Sequence, residues 1–300
     1  MLSQAKADPV LPQAAQPTRT LDLHGSAHGV LLLHSLAGGP QELQFVAQGL
    51  HQAGYTVQVP VLAGYSLAAA GQPLASQPAW TAAALAAFDA LQARCTSVVV
   101  GGLSVGAVLA LQLAALRAPR VAGVMALSTA LRFDGWAVPW RRKLLPLAAW
   151  LPGAGQLPVR MTPPYGIRDD GLRAWIASQV DLAGRGAAAP PALRVRDLLQ
   201  ARRLAQQTRR LLPDITAPTL LLHAQHDDVA SSRNAQEVGR GIRSQQVTWG
   251  LFADSFHLLS LDREKQCVLA SMVRFLQQLH GGDVLPPACA DHCAGSDGPD

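Results

Sequence analysis

The chain is poor in charge, in aromatic rings and in cysteine. Of its 300 residues, 15% are charged and 5% aromatic, against 49% hydrophobic. So little charge with so much apolar side chain excludes a largely disordered chain and permits a sizeable core. Long apolar runs are missing too, because Arg117, Pro119 and Arg120 cut the richest stretch short of a bilayer span. The opening MLSQAKADPVLPQAAQPTRT has one lysine and no continuous apolar segment of the signal-peptide kind. Residues 1–19 therefore read as a flexible arm, and a cytoplasmic location is expected. The four cysteines are scattered: Cys95 and Cys267 fall in helical patterns, while Cys289 and Cys293 lie in a Gly/Pro/Asp-rich end. That favours reduced thiols over a disulfide framework. Residues 281–300, which include His292 between the last two cysteines, read as a disordered tail rather than a metal site. No metal or cofactor is expected.

What charge there is lies unevenly. Residues 131–213 hold fourteen basic against five acidic residues, a net of +9; the rest of the chain holds eleven against fifteen, a net of −4. Four of the six tryptophans, Trp136, Trp140, Trp150 and Trp175, fall in the same basic segment.

On either side of it, apolar runs alternate with helical periodicity. GVLLLHS (29–35), YTVQVPVL (55–62), SVVVGGL (97–103), VAGVMALST (121–129), APTLLLHAQ (217–225) and QQVTWGL (245–251) read as strands. Residues 40–54, 80–94, 106–118, 232–242 and 263–280 read as helices, the first stopped by Gly54. Strands this continuously apolar, alternating with helices, predict a mostly parallel sheet covered on both faces. The expected core is 20–130 together with 214–280. Residues 131–213, with helical pieces at 171–180 and 196–212, form an insertion after the VMALST strand.

Ligands of such a sheet sit beyond the carboxyl ends of its strands. The residues found there are His34 to Gly39, Ser104, Asp227 with Asp228, and Asp254 to His257. Ser104 stands between Gly102 and Gly106 where an apolar strand runs into an apolar helix. A strand-to-helix turn that sharp strains its central residue and tolerates only small neighbours. It lifts the hydroxyl above the sheet, while the helix N-terminus, beginning with the Val105 amide, favours negative charge beside it. A serine nucleophile needs a base, and the base needs an orienting third group. His257, after the last strand, is the candidate base and Asp227 the candidate acid. Asp254 is the second candidate for the acid, and Asp228 reads as a helix N-cap.

The stretches LLLHSLAGGPQEL, GGLSVGAVLAL, LLHAQHDDVASSRNA and SFHLLSLDREK give the chain its resemblance. It resembles the α/β-hydrolases, in particular their small bacterial carboxylesterase and monoacylglycerol lipase branch, over residues 29 to about 280. The resemblance implies Ser104 as nucleophile, Asp227 as acid, His257 as base, and the backbone N–H groups of Leu36 and Val105 as an oxyanion hole. Two positions depart from the branch. Ser35 stands where glycine usually follows the histidine, so the Leu36 amide is shifted or a hydroxyl is added to the site. Phe256 stands where glycine usually precedes the base, which predicts a narrowed pocket or a shielded acid–base pair.

Members of the branch carry a cap at the position of the basic insertion, as the roof of an acyl pocket. His34, Ser35, Leu103, Trp136, Trp140 and Phe256 are the expected substrate-lining residues. The expected activity is metal-independent hydrolysis of carboxylic esters, apolar or monoacylglycerol-like, through an acyl-enzyme. Acyl transfer or thioester cleavage would use the same residues, and a non-catalytic acyl-binding member is the alternative of another class. A serine at the elbow argues against the aspartate nucleophile of dehalogenases and epoxide hydrolases. The basic cap rim suits an anionic lipid surface or an acidic carrier protein, whereas no nucleic-acid-binding motif is present.

Overall fold

The computed structural model describes residues 19–66, 74–140, 153–159, 162–185 and 193–281. Trp150, Arg141, Arg142, Lys143 and Arg160 of the basic segment, residues 1–18 of the N-terminal arm, and Cys289, His292 and Cys293 of the tail lie outside those residues.

Among the described residues, seven strands form one sheet: β1 Leu21–Leu23, β2 His28–Leu33, β3 Thr56–Val59, β4 Ser97–Leu103, β5 Gly123–Leu127, β6 Thr219–Ala224 and β7 Val247–Phe252. Their order is β1-β3-β2-β4-β5-β6-β7, with β1 antiparallel to β3 and every other pair parallel. Strand side chains alternate between faces, so each apolar run feeds two cores. Leu31, Leu33, Val98, Val100 and Leu221 join one core with α2 (Gln77–Gln92) and α3 (Val105–Leu116). Val30, Leu32, Val99, Leu220 and Leu222 join the other with α1 (Gln44–Gln52) and α7 (Lys265–His280). The α3 sequence is apolar on all sides, and every residue from Val105 to Ala114 is buried, as a helix without a polar face must be.

The basic segment contributes α4 (Asp170–Arg185) and α5 (Val195–Leu211). One side of α5, with Ala201, Leu204 and Ala205, is continuous with the core around α3. The chain then returns through β6 to α6 (Arg233–Gly241). No helix of the described residues is long and apolar enough to cross a membrane.

Candidate active site

The site begins with a backbone constraint. β4 ends at Leu103 and α3 starts at Val105, leaving Ser104 alone to turn the chain with φ 61° and ψ −120°. That conformation is strained for a side chain other than glycine. It persists because its neighbours leave no room for an alternative. A Cβ on Gly102 would stand 2.3 Å from the Gly106 carbonyl oxygen, and one on Gly106 would stand 2.2 Å from the carbonyl oxygen of Leu33 in β2. The Ser104 amide donates to the Leu127 carbonyl at 2.9 Å, tying the turn to the end of β5.

Above this turn, three side chains from three strand ends form one hydrogen-bonded line. Ser104 Oγ lies 2.8 Å from His257 Nε2. His257 Nδ1 lies 2.8 Å and 3.0 Å from the two carboxylate oxygens of Asp227. A carboxylate only accepts, so the proton resides on Nδ1 and Nε2 is left free to accept from the serine. All three residues are buried. Asp227 Oδ1 also takes the amides of Val229 and Ala230, each at 2.8 Å, and His223 Nε2 stands 3.3 Å from Oδ2. Burial pushes the Asp227 pKa up, but the charges and hydrogen bonds of His257 and His223 outweigh it and hold the carboxyl well below the usual range. Burial likewise pushes the His257 imidazole down. The charge and hydrogen bond of Asp227, with the charges of Asp228 and Glu42, reverse that and leave its pKa raised.

Beside the serine runs the loop 34–39. The N–H groups of Leu36 and Val105 donate to no acceptor among the described residues. His34 is fully buried beneath the loop, with Nδ1 2.8 Å from the Ser35 carbonyl oxygen and Nε2 2.7 Å from Ser66 Oγ. Burial, partly offset by the Ser35 carbonyl, lowers its pKa to about 4, so the ring is neutral at neutral pH. It props the loop from below.

Two more buried carboxylates bind residues 166–169 to the backbone around His257. Asp228 is not a helix N-cap: α6 starts at Arg233 behind Ser232, and Asp228 Oδ2 instead accepts the Gly166 amide at 2.9 Å. Its other oxygen faces the His257 amide at 3.4 Å. Asp262 collects four backbone N–H groups, from Arg168 (2.7 Å), Asp169 (3.0 Å), Phe256 (2.8 Å) and Arg263 (3.0 Å). The Leu258 amide adds a bond to the Gly166 carbonyl at 2.8 Å. Asp254, the second candidate for the acid, is instead 55% exposed and pairs with Arg168 at 3.0 Å and Arg263 at 3.2 Å.

The remaining expected lining residues are dispersed. Leu103 is fully buried in the core shared with α1 and α7. Trp140 is 68% exposed. Trp136 is 63% exposed; its Nε1–H donates to the His226 carbonyl at 3.0 Å, and its ring meets Phe256 edge-on at 5.6 Å. Arg168 covers the Phe256 ring at 5.5 Å. Together with Arg173, His226 and Arg263, these three line a groove of about 550 Å³ whose walls do not include Ser104. Phe256 therefore packs insertion against core, and Ser35 turns its hydroxyl to Glu42 at 2.8 Å.

Glu42, His223 and Asp262 were not singled out in the sequence. Glu42 reads as one more position of a helical pattern, and the partners of Asp262 are main-chain amides as far as 94 residues away. Only a buried loop carboxylate's need for donors hints at such a role. Among the described residues, no group of three or more His, Cys, Asp or Glu side chains is arranged to hold a metal.

The family described as serine aminopeptidase, S33, matches residues 27–264. A thermostable monoacylglycerol lipase from Bacillus sp. (strain H-257) is 26% identical over 256 residues, covering 85% of this chain and 92% of its own. Among solved structures, one from a study of the metagenome-derived lipolytic enzymes LipS and LipT superposes with a TM-score of 0.72 at 28% identity, over 89% of this chain and all of its own. The monoglyceride lipase of Saccharomyces cerevisiae gives 0.73 at 13% identity, over 93% and 99%, a likeness of fold. The fold is that of the α/β-hydrolases.

Proposed function

Because the chain belongs to the serine aminopeptidase S33 family of hydrolases, we propose that it hydrolyses carboxylic esters with Ser104 as nucleophile, His257 as base and Asp227 as the orienting acid. The observation that carries this reading is the buried line from Ser104 Oγ through His257 to Asp227, 2.8 Å at each step. Substrates are apolar acyl esters of the monoacylglycerol kind, by analogy with the lipases it resembles. In this reading the described part of the basic segment, held beside His257 by Asp228 and Asp262, belongs to the roof of the acyl pocket.

In the first step Ser104 Oγ bonds to the ester carbonyl carbon and its proton passes to His257 Nε2. The carbonyl π electrons move to oxygen, and the resulting oxyanion accepts from the N–H groups of Leu36 and Val105. The imidazolium is stabilised by Asp227, which keeps its own charge. The oxyanion then collapses, the C–O bond to the alcohol breaks, and His257 returns the proton to the leaving oxygen. Water enters, gives a proton to His257 and attacks the acyl-enzyme; a second collapse breaks the acyl–Oγ bond, His257 returns the proton to Ser104 Oγ, and the acid leaves. Catalysis lies in donors aimed at charge that exists only in the transition state, each worth roughly a hundred- to a thousand-fold in rate.

Hydrolysis of p-nitrophenyl esters from acetate to laurate tests the reading, with wild type beside Ser104→Ala. Wild type is expected to turn over with a burst, and its chain-length optimum measures the pocket. Ser104→Ala is expected to lose nearly all turnover at unchanged thermal stability. A Ser104→Ala variant as active as wild type would reassign the nucleophile.

A further inference from the structure

The hydroxyl at position 35 has a partner for which the chemistry above has no use. Glu42 lies in the 3-10 turn Pro40–Leu43 ahead of α1 and turns its carboxylate back under the loop. Its Oε2 accepts the Ser35 amide at 2.9 Å and its Oε1 accepts the Ser35 hydroxyl at 2.8 Å. The carboxylate lies so close to Gly38 that a Cβ there would stand 2.2 Å from Oε1. From the far side, Ser260 Oγ–H donates to the Glu42 carbonyl at 2.6 Å, three residues beyond His257.

The Leu36 amide is what this grip acts on. A trans peptide is planar, with C=O and N–H on opposite edges. The Ser35 carbonyl accepts the Gly38 amide at 3.1 Å and faces His34 Nδ1 at 2.8 Å, so the Leu36 N–H must point the other way. Beyond Leu36, the Ala37 amide is tied to the Tyr65 carbonyl at 3.1 Å, with φ at 63°. Before it, Ser35 is held by both arms of Glu42.

We infer that Glu42 is a positioning residue, its two-pronged grip on Ser35 aiming the Leu36 amide at the oxyanion of the tetrahedral intermediate; the inference rests on the roles of Ser104 and Leu36 given above. Ser35 is then the second prong of a brace. The Ser35 amide needs an acceptor oxygen, whereas the Ser35 hydroxyl can donate or accept, so both the ionised and the neutral carboxyl keep the two contacts. Burial leaves the Glu42 pKa raised, and the Ser35 bonds and the nearby His257 charge offset it only in part. A misaimed oxyanion donor weakens the transition state more than the bound ester, so the loss appears in kcat and not in KM.

The test uses the full chain as Glu42→Ala, Glu42→Gln and Ser35→Ala, with thermal unfolding to confirm folding. An alkylboronic acid, which forms a tetrahedral adduct on the serine, probes the hole directly. Glu42→Ala is expected to lower kcat by roughly ten- to a hundred-fold with KM within about threefold, and to weaken the boronate by a similar factor. Glutamine can keep both contacts: its carbonyl takes the amide and its NH2 donates to a rotated Ser35 hydroxyl. Glu42→Gln should therefore recover most of the loss, and Ser35→Ala, with one prong gone, should fall between. A folded Glu42→Ala with kcat and boronate affinity within about threefold of wild type overturns the inference, and so does a Glu42→Gln no better than the alanine. If Glu42→Ala does not fold, a Ser35→Ala with kcat and boronate affinity unchanged overturns it. A fluorophosphonate keeps the two readings apart. A wild type that takes no label overturns the role of Ser104 and this inference with it, whereas a labelled wild type with an unaffected Glu42→Ala overturns this inference alone.

Discussion

Asp227 is the residue on which the electrostatics of the site turn. Three donors converge on it, from His257 and two amides, with His223 Nε2 3.3 Å away, and its retained charge keeps the imidazole raised against burial. The base must be neutral to take the serine proton. Activity is therefore expected to fall as pH drops through a midpoint above the ordinary histidine value of about 6.5, read from kcat/KM against pH. In Asp227→Asn the largest raising influence is gone while burial remains, so that midpoint should move to lower pH. The carboxamide also presents a donor to Nδ1 and favours the wrong tautomer, which should cost roughly 10⁴ in kcat. That Ser104, Asp227 and His257 meet was legible in the sequence because each follows a strand at the same, carboxyl end of the sheet. Asp228 was misread because a local partner, a helix end, was the simplest one in reach. Its real partner, the Gly166 amide, is 62 residues away and carries no side-chain signature.

At the scale of elements, three backbones meet within contact of one glycine. A methyl group on Gly106 would stand 2.2 Å from the Leu33 oxygen and 2.3 Å from that of His34, main-chain atoms at the end of β2 and the start of the oxyanion loop. Gly106→Ala is thus expected to push α3 off β2, lowering the thermal midpoint and cutting esterase turnover at least about tenfold through lost alignment. Asp262 ties elements together by accepting four amides. Asp262→Asn leaves about two of those donors unmatched, at roughly 1–3 kcal/mol each. A drop of about 3–10 °C in the unfolding midpoint is the expected outcome. Apolar strands and long amphipathic helices were legible within a few residues; the reading of 97–103 matches β4 at both ends. β1 was not, since three residues cannot display a period and its pairing with β3 is decided by the sheet. The helix read over 40–54 splits into a 3-10 turn and α1. That split gives Glu42 its backward reach.

Across the whole molecule, charge is segregated by sequence, with +9 in residues 131–213 and −4 elsewhere. Much of the positive charge in its described part is spent on ion pairs, such as Arg168 with Asp254, and Arg132 and Arg209 with Glu237. Arg141, Arg142 and Lys143 lie outside the described residues, beside the exposed Trp140. We propose that this stretch attracts an anionic lipid surface. Reversing the three charges to glutamate should then weaken sedimentation with phosphatidylserine vesicles at low salt, with the difference fading as salt shortens the screening length. Equal sedimentation of both proteins would remove these three charges from any role at a lipid surface.

The clasp of Asp228 and Asp262 on residues 166–169 has a consequence for anyone who would change what this protein accepts. In the proposed arrangement the roof and the machinery beneath it share a seam, and His257, with Phe256 beside it, is stitched into that seam by its own backbone. A chimera that imports a relative's roof should place its junctions so that residues 162–169 stay with the native floor. Cut inside that stretch, the graft would exchange the ceiling and loosen the base in one operation.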